Sequence, residues 1–200
     1  IYKKHDVYVV SDEIWSDLLL NGHKHTPTQS VSEDAKQRTV ALYAPSKTFN
    51  LAGGQNSIVM IADEKLREKW DKFVTGVRVL AGNPFGYIAA EAAYAGGEEW
   101  YEAVKEQIYK NYCYLRDTLQ EQLPDAVVSP LEGTYLTWVD LRKCAEPAEV
   151  KAIVLDKCKL AVDFGDWFGG ERFDGFIRIN LATSMENVEI AVKSLIENFK

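Results

Sequence analysis

The sequence predicts an α/β chain whose layout changes to α+β after about residue 105. Three observations carry this. Short apolar runs rich in β-branched residues alternate with loops and helical patterns as far as Ala62. An amphipathic pattern then runs unbroken from Glu98 to Leu123. Beyond it, strand-like and helix-like segments follow without the strand–helix alternation that builds a parallel sheet.

Residues 7–11, 39–43 and 57–62 read as strands, short and apolar in the way of buried parallel strands. Asn21-Gly22-His23-Lys24-His25-Thr26-Pro27 is a turn-rich loop, and a short helix is predicted over 32–37. Asp63 and Glu64 open a helix through Trp70, with the acids where the helix dipole favours them. Residues 84–95 are Ala-rich and apolar nearly all round, which predicts a buried helix ended by Gly96-Gly97.

Along residues 98–123, Trp100, Val104, Ile108, Tyr112, Leu115, Leu119 and Leu123 recur at three- and four-residue steps. This is a long helix suited to connecting two domains, and the boundary is placed inside it, near residue 105. Strands are then predicted over 126–129, 135–141, 160–163 and 176–181. Helices are predicted over 147–159, with Pro147 in the first turn, and over 184–199, with Ser184 as the cap. The three strands of residues 1–105 leave open sheet edges, so that part is expected to be incomplete. Residues 106–200, about 95 in number, fall within the range of small domains.

The chain has 200 residues, 46% hydrophobic and 26% charged, an ordinary globular composition. A net charge of -7 argues against a nucleic-acid backbone or an anionic membrane surface as partner. No apolar run approaches the roughly 18 residues of a membrane span, and no secretory pattern opens the chain. The three cysteines, Cys113, Cys144 and Cys158, lack metal-ligand spacing and read as free thiols of a cytoplasmic protein.

The chemistry gathers at two strand ends. Lys47 leaves the apolar run Thr39-Val40-Ala41-Leu42-Tyr43 in a polar loop that ends at Gly53. Asp12 leaves Val7-Tyr8-Val9-Val10-Ser11 in the same way. Such a pair can hold a pyridine aldehyde cofactor, the amine bonding the aldehyde carbon and the acid keeping the ring nitrogen protonated. Taken singly, Lys47 would be a solvated cation and Asp12 a strand-end cap. Ser46 reads as a phosphate contact or a helix cap. His23 and His25 form an H-x-H pair, but no third ligand follows at useful spacing, so they read as a solvated loop. Gly165-Asp166-Trp167-Phe168-Gly169-Gly170 does not match a dinucleotide fingerprint and reads as a mobile loop. Tyr135 is expected to face the core of the second part.

Five segments occur in a specific order: Ser11-Asp12-Glu13-Ile14-Trp15-Ser16-Asp17-Leu18; Ala44-Pro45-Ser46-Lys47-Thr48-Phe49-Asn50-Leu51-Ala52-Gly53; Asn83-Pro84-Phe85-Gly86; Gly133-Thr134-Tyr135-Leu136-Thr137-Trp138-Val139-Asp140-Leu141; and Gly175-Phe176-Ile177-Arg178-Ile179-Asn180-Leu181-Ala182. Together they resemble the class I/II aminotransferase family of pyridoxal-phosphate enzymes, and within it the cystathionine beta-lyase (C–S lyase) branch.

The resemblance implies part of a three-layer α/β large domain over residues 1–105, followed by a small α+β domain over 106–200. It implies a pyridoxal 5'-phosphate cofactor held by Asp12, Lys47, Ser46 and Trp15. Lys47 would be the catalytic amine, and Arg178 would pair bidentately with the α-carboxylate of an amino-acid substrate. Trp15 stands where aminotransferases often have Tyr and is expected to shape the pocket wall. Ala44 and Gln55 stand where many aminotransferases have a Ser and an Arg on the phosphate, which tilts the resemblance toward the lyase branch. There, α,β-elimination from a sulfur amino acid gives a thiol, pyruvate and ammonia. Transamination is the alternative reaction, and a non-catalytic role for this chain is a third reading. The resemblance also implies a homodimeric enzyme about twice this long, of which this chain, opening at Ile1-Tyr2-Lys3-Lys4, is expected to be the C-terminal half.

Overall fold

Three strands, β1 (Val9–Asp12), β2 (Thr39–Tyr43) and β3 (Ile58–Ile61), form a sheet in the order β1-β2-β3. The computed structural model describes residues 1–78 and 82–200. These divide into two compact units, Ile1–Glu102 and Ala103–Lys200.

In the first unit, β1 and β2 run parallel, with Val9 opposite Thr39 and Asp12 opposite Leu42. The third strand corrects the expectation of a parallel set. It is antiparallel to β2, with Val40 opposite Ile61 and Tyr43 opposite Ile58. A β-branched run predicts a strand but not its direction, which the connection decides. Here the connection holds only the four-residue α2 (Pro45–Thr48) and a 3-10 turn at Ala52–Gly54, which leave the chain at the same end of the sheet.

The expected burial is also corrected. Val10 is 70% exposed, and Ile58 and Met60 are exposed as well, while Ala41 and Ile61 are buried. Helix α4 (Pro84–Gly96) buries only Gly86 and Ala90, and leaves Phe85 and Ile88 in the open. Apolar composition states a preference for burial, whereas actual burial needs a neighbouring surface.

Local signals place the helices of this unit. In α1 (Glu33–Arg38), Ser32 Oγ accepts from Ala35 N at 3.0 Å. In α3 (Glu64–Gly76), Asp63 Oδ1 accepts from Leu66 N at 2.7 Å. Asn83 Oδ1 caps α4 through Phe85 N. The long helix α5 (Glu98–Gln122) contains the division between the units.

In the second unit, β4 (Val127–Val128), β5 (Leu136–Asp140), β6 (Asp163–Phe164) and β7 (Phe176–Asn180) pair antiparallel in the order β4-β5-β7-β6. The strand expected over 160–163 is shifted, beginning only at Asp163. Helix α6 (Pro147–Ala152) runs into a π turn at Ile153–Lys157. The expected loop at Gly165–Gly170 instead holds a helical turn, α7 (Asp166–Gly169). Helix α8 (Met185–Phe199) begins at its Ser184 cap. The core joins Ile108, Leu115 and Leu119 of α5, Val139 and Ile177 of the sheet, and Val192 and Leu195 of α8, all at most 1% exposed.

Candidate active site

Because β1 and β2 are adjacent and parallel, their carboxyl ends lie at one end of the sheet, the place where open α/β sheets bind ligands. Asp12 is the last residue of β1. Beyond β2, Ala44 leads in extended conformation into α2, which carries Ser46 and Lys47. The register therefore puts the carboxylate and the lysine-bearing turn on neighbouring strand ends.

Asp12 is exposed, and its Oδ1 accepts from Ile14 N at 3.1 Å. Its Oδ2 takes no donor among the described residues. Lys47 Nζ lies 5.5 Å from the centroid of the Trp15 ring, within cation–π range. Trp15, expected as a pocket wall, thus lies against the amine. Ser46 is half-buried, one position inside α2 from Pro45. The N-cap is Ala44, with no side-chain capping bond, so the helix-cap reading of Ser46 is set aside.

The lysine-bearing turn is anchored from behind. Thr48 Oγ1 donates to Asp17 Oδ2 at 2.8 Å, and Tyr101 Oη donates to the Asp17 carbonyl. The Phe49 ring meets Tyr94 edge-on at 5.1 Å and stacks on Trp100 at 6.1 Å. Burial, followed by the Asp17 charge, pushes the Tyr94 phenol up.

Beside Asp12, Glu13 is 3% exposed and accepts from four donors: Ser11 Oγ at 2.9 Å, Thr28 N at 2.9 Å, Tyr43 Oη at 2.7 Å and, across a 2.8 Å contact, His25 Nε2. Burial raises its pKa, but these bonds, His25 first, outweigh burial and hold the carboxyl at about 2. Burial and Glu13 together push Tyr43 up to about 12. His25 lies in an exposed loop, as the sequence predicts, but its ring is tied to Glu13. A cavity of about 180 Å³ opens here between Glu13, Ser16, Asp17, Tyr43 and Tyr94, with neither Asp12 nor Lys47 in its lining. Neither the network nor the cavity is signalled by any local pattern.

Arg178 belongs to the second unit. On β7 it stands opposite Trp138 of β5 and Asp163 of β6. Its Nε and Nη2 both donate to Asp163 Oδ2, at 2.9 and 2.6 Å, and its Cζ lies 4.4 Å from the Phe168 ring centroid. No local sequence pattern marks Asp163 as the partner of Arg178. Tyr135 is half-buried, and burial pushes its phenol up. Among the described residues no three His, Cys, Asp or Glu side chains cluster as a metal site, and no helix is long and apolar enough to cross a membrane.

A parallel strand pair that delivers an acid and an amine to one sheet end, followed by an α+β unit with an arginine on an antiparallel strand, defines an α/β chain of the aminotransferase fold. The chain belongs to the class I and II aminotransferase family, whose model matches residues 1–195. It is 36% identical over 195 residues to the cystathionine beta-lyase PatB of Bacillus subtilis (strain 168), covering 96% of this chain and 50% of that protein. A pyridoxal-phosphate-bound structure from Clostridium difficile 630 matches with TM-score 0.94 at 36% identity, over 100% of this chain and 51% of that one. Cystalysin from Treponema denticola, which contains pyridoxal 5'-phosphate, matches with TM-score 0.89 at 31% identity, over 98% and 50%. The chain spans about half the length of these relatives.

Proposed function

We propose that this chain carries the lysine-bearing half of a pyridoxal-phosphate-dependent C–S lyase that, with one water consumed in hydrolysis of the eliminated enamine, releases a thiol, pyruvate and ammonia from a sulfur amino acid. Asp12 at the end of β1 and Lys47 in the short helix just beyond the adjacent, parallel β2 carry the reading. The likeness to a cystathionine beta-lyase supports the reaction class.

The residues present suit the cofactor. Asp12 has a carboxylate oxygen open to a protonated ring nitrogen, Lys47 supplies the attaching amine, and Ser46 Oγ makes no hydrogen bond among the described residues and can donate to a phosphate. Bound there, the cofactor supplies an electron sink for charge developing at the substrate Cα. Asp12 holds the proton on the ring nitrogen by charge. Lys47, with Trp15 against it, removes the Cα proton and delivers a proton to the departing sulfur. Arg178 takes the α-carboxylate. In this reading residues 1–105 belong to the cofactor-binding domain and 106–200 to the small domain of a cytoplasmic homodimer.

The test incubates the chain with pyridoxal 5'-phosphate, reduces with borohydride and maps the modified peptide. Modification confined to Lys47 and lost in Lys47→Ala is the expected result. Modification spread over surface lysines sinks the proposal. With the full-length enzyme and cystathionine as substrate, pyruvate and ammonia mark the lyase. Amino transfer that depends on an added keto acid marks the family's other reaction.

A further inference from the structure

We infer that Asp163 is a positioning residue that decides which edge of the Arg178 guanidinium a carboxylate meets. The inference rests on the carboxylate role proposed for Arg178. A guanidinium offers two edges that can grip a carboxylate with paired N–H groups: the side edge, Nε with Nη2, and the end edge, Nη1 with Nη2. Asp163 occupies the side edge. Its Oδ2 alone accepts from both Nε and Nη2, at 2.9 and 2.6 Å.

The pair is built into the sheet. Asp163 and Arg178 stand directly opposite each other in the β6–β7 ladder, so the backbone register brings the two side chains together. Phe168 lies against one face of the guanidinium at 4.4 Å. Phe168 is held in turn by Trp138, edge-on at 5.5 Å, and Trp138 faces Arg178 from β5. The guanidinium plane is therefore held at one edge and on one face. What remains is the end edge: Nη1, which has no acceptor among the described residues, and the second N–H of Nη2. The Arg178 side chain is 31% exposed, an exposure that the proposed geometry assigns to the end edge. An amino acid presenting its carboxylate meets Arg178 end-on, with the Asp163 pair intact. The Asp163 charge weakens the attraction while fixing its direction.

The test is an acetate titration of the full chain labelled with ¹⁵N, following the Arg178 side-chain N–H signals, which are assigned by their loss in Arg178→Lys. In the parent chain the Hη signals are expected to move with acetate while Hε stays. In Asp163→Ala the side edge opens. Hε should then move as well, and the acetate dissociation constant should fall about two- to fivefold as the neighbouring negative charge is removed. Asp163→Val removes both acceptor oxygens and suits a strand, and there too Hε should respond, so the inference stays testable should the alanine variant fold poorly. Movement of Hε in the parent equal to that in the variants overturns the positioning role and leaves Arg178 standing as a carboxylate receptor. An Hε that stays still in both variants while Hη moves overturns it in the same way. Failure of every Arg178 signal to move in all three chains overturns the carboxylate role and the positioning role together.

Discussion

Thr48 Oγ1 donates to Asp17 Oδ2 at 2.8 Å and so ties the turn that carries Lys47 to the segment that follows Asp12. Thr48 is 3% exposed, so water cannot easily replace this bond. A hydrogen bond to a charged acceptor contributes roughly 1.5–3 kcal/mol. Thr48→Val keeps the shape and removes the donor. It is expected to cost about 1–3 kcal/mol in urea unfolding and to speed amide exchange at Phe49 and Leu51, whose N–H groups bond to Pro45 and Ser46 carbonyls within the turn. Thr48→Ser should recover most of both losses. Unchanged exchange at Phe49 and Leu51 in Thr48→Val would show that the turn is held by other contacts.

Glu13 is expected to make the first unit sensitive to acid. Its folded carboxyl titrates at about 2, below the ordinary value of 4.5. A depressed folded pKa means that the ionised form favours the fold. The contribution is complete above about pH 4.5 and is lost as pH falls toward 2, with a ceiling on the order of 3 kcal/mol. Urea midpoints measured across that window should fall more steeply for the parent than for Glu13→Gln, which cannot ionise. Parallel curves would remove Glu13 as the source of the acid sensitivity.

Gly86 lies in the first turn of α4, against the loop that follows Lys47. A Cβ at residue 86 would collide with the Gly54 carbonyl oxygen, a backbone atom that cannot swing aside as a side chain can. Gly86→Ala should therefore push α4 away from the loop and cost about 2 kcal/mol or more. It should also break the 3.4 Å contact from Asn56 Nδ2 to the Gly86 carbonyl. Thermal unfolding of Gly86→Ala beside Ala90→Gly, a substitution in the same helix that removes a buried methyl without adding bulk, separates collision from ordinary helix propensity. A variant of Gly86→Ala as stable as the parent would mean that α4 can shift freely.

Much of the frame was legible because its signals are local. The β-branched run at 39–43 is β2, and Ser184 starts α8 through the capping chemistry that marked it. The direction of β3 was not legible, because it depends on a connection whose path no periodicity encodes. The candidate site divides in the same way. Asp12 and Lys47 are marked by their positions after two apolar runs. The donors around Glu13 come from Ser11, His25, Thr28 and Tyr43, which converge only in the folded chain. Asp163 escaped for a further reason. The apolar pattern predicts a strand ending at Asp163, whereas β6 begins there, and the pairing opposite Arg178 has no local signal.

Asn111 shows what a polar residue inside an apolar stripe accomplishes. It lies on α5 among Ile108, Tyr112 and Leu115, where the three- and four-residue spacing predicts core, and it is fully buried. Its Nδ2 donates to the carbonyls of Leu181 and Thr183, each at 2.9 Å, and its Oδ1 accepts from Gln107 Nε2 at 2.8 Å. The amide thereby satisfies two carbonyls of the chain leaving β7, just before the Ser184 cap of α8. Asn111→Leu supplies a side chain of similar length that suits the surrounding core but strands the buried Leu181 carbonyl and removes the donor to the half-buried Thr183 carbonyl. Each buried group left without a partner costs roughly 1–3 kcal/mol, so the expected loss is about 2 kcal/mol or more even though apolar burial increases. The exchange of the Asn187 amide, which donates to Ser184 Oγ, should quicken together with the fall in the urea midpoint. A leucine variant at least as stable as the parent would mean that the β7–α8 connection can turn its carbonyls to water, and that Asn111 is dispensable to this unit.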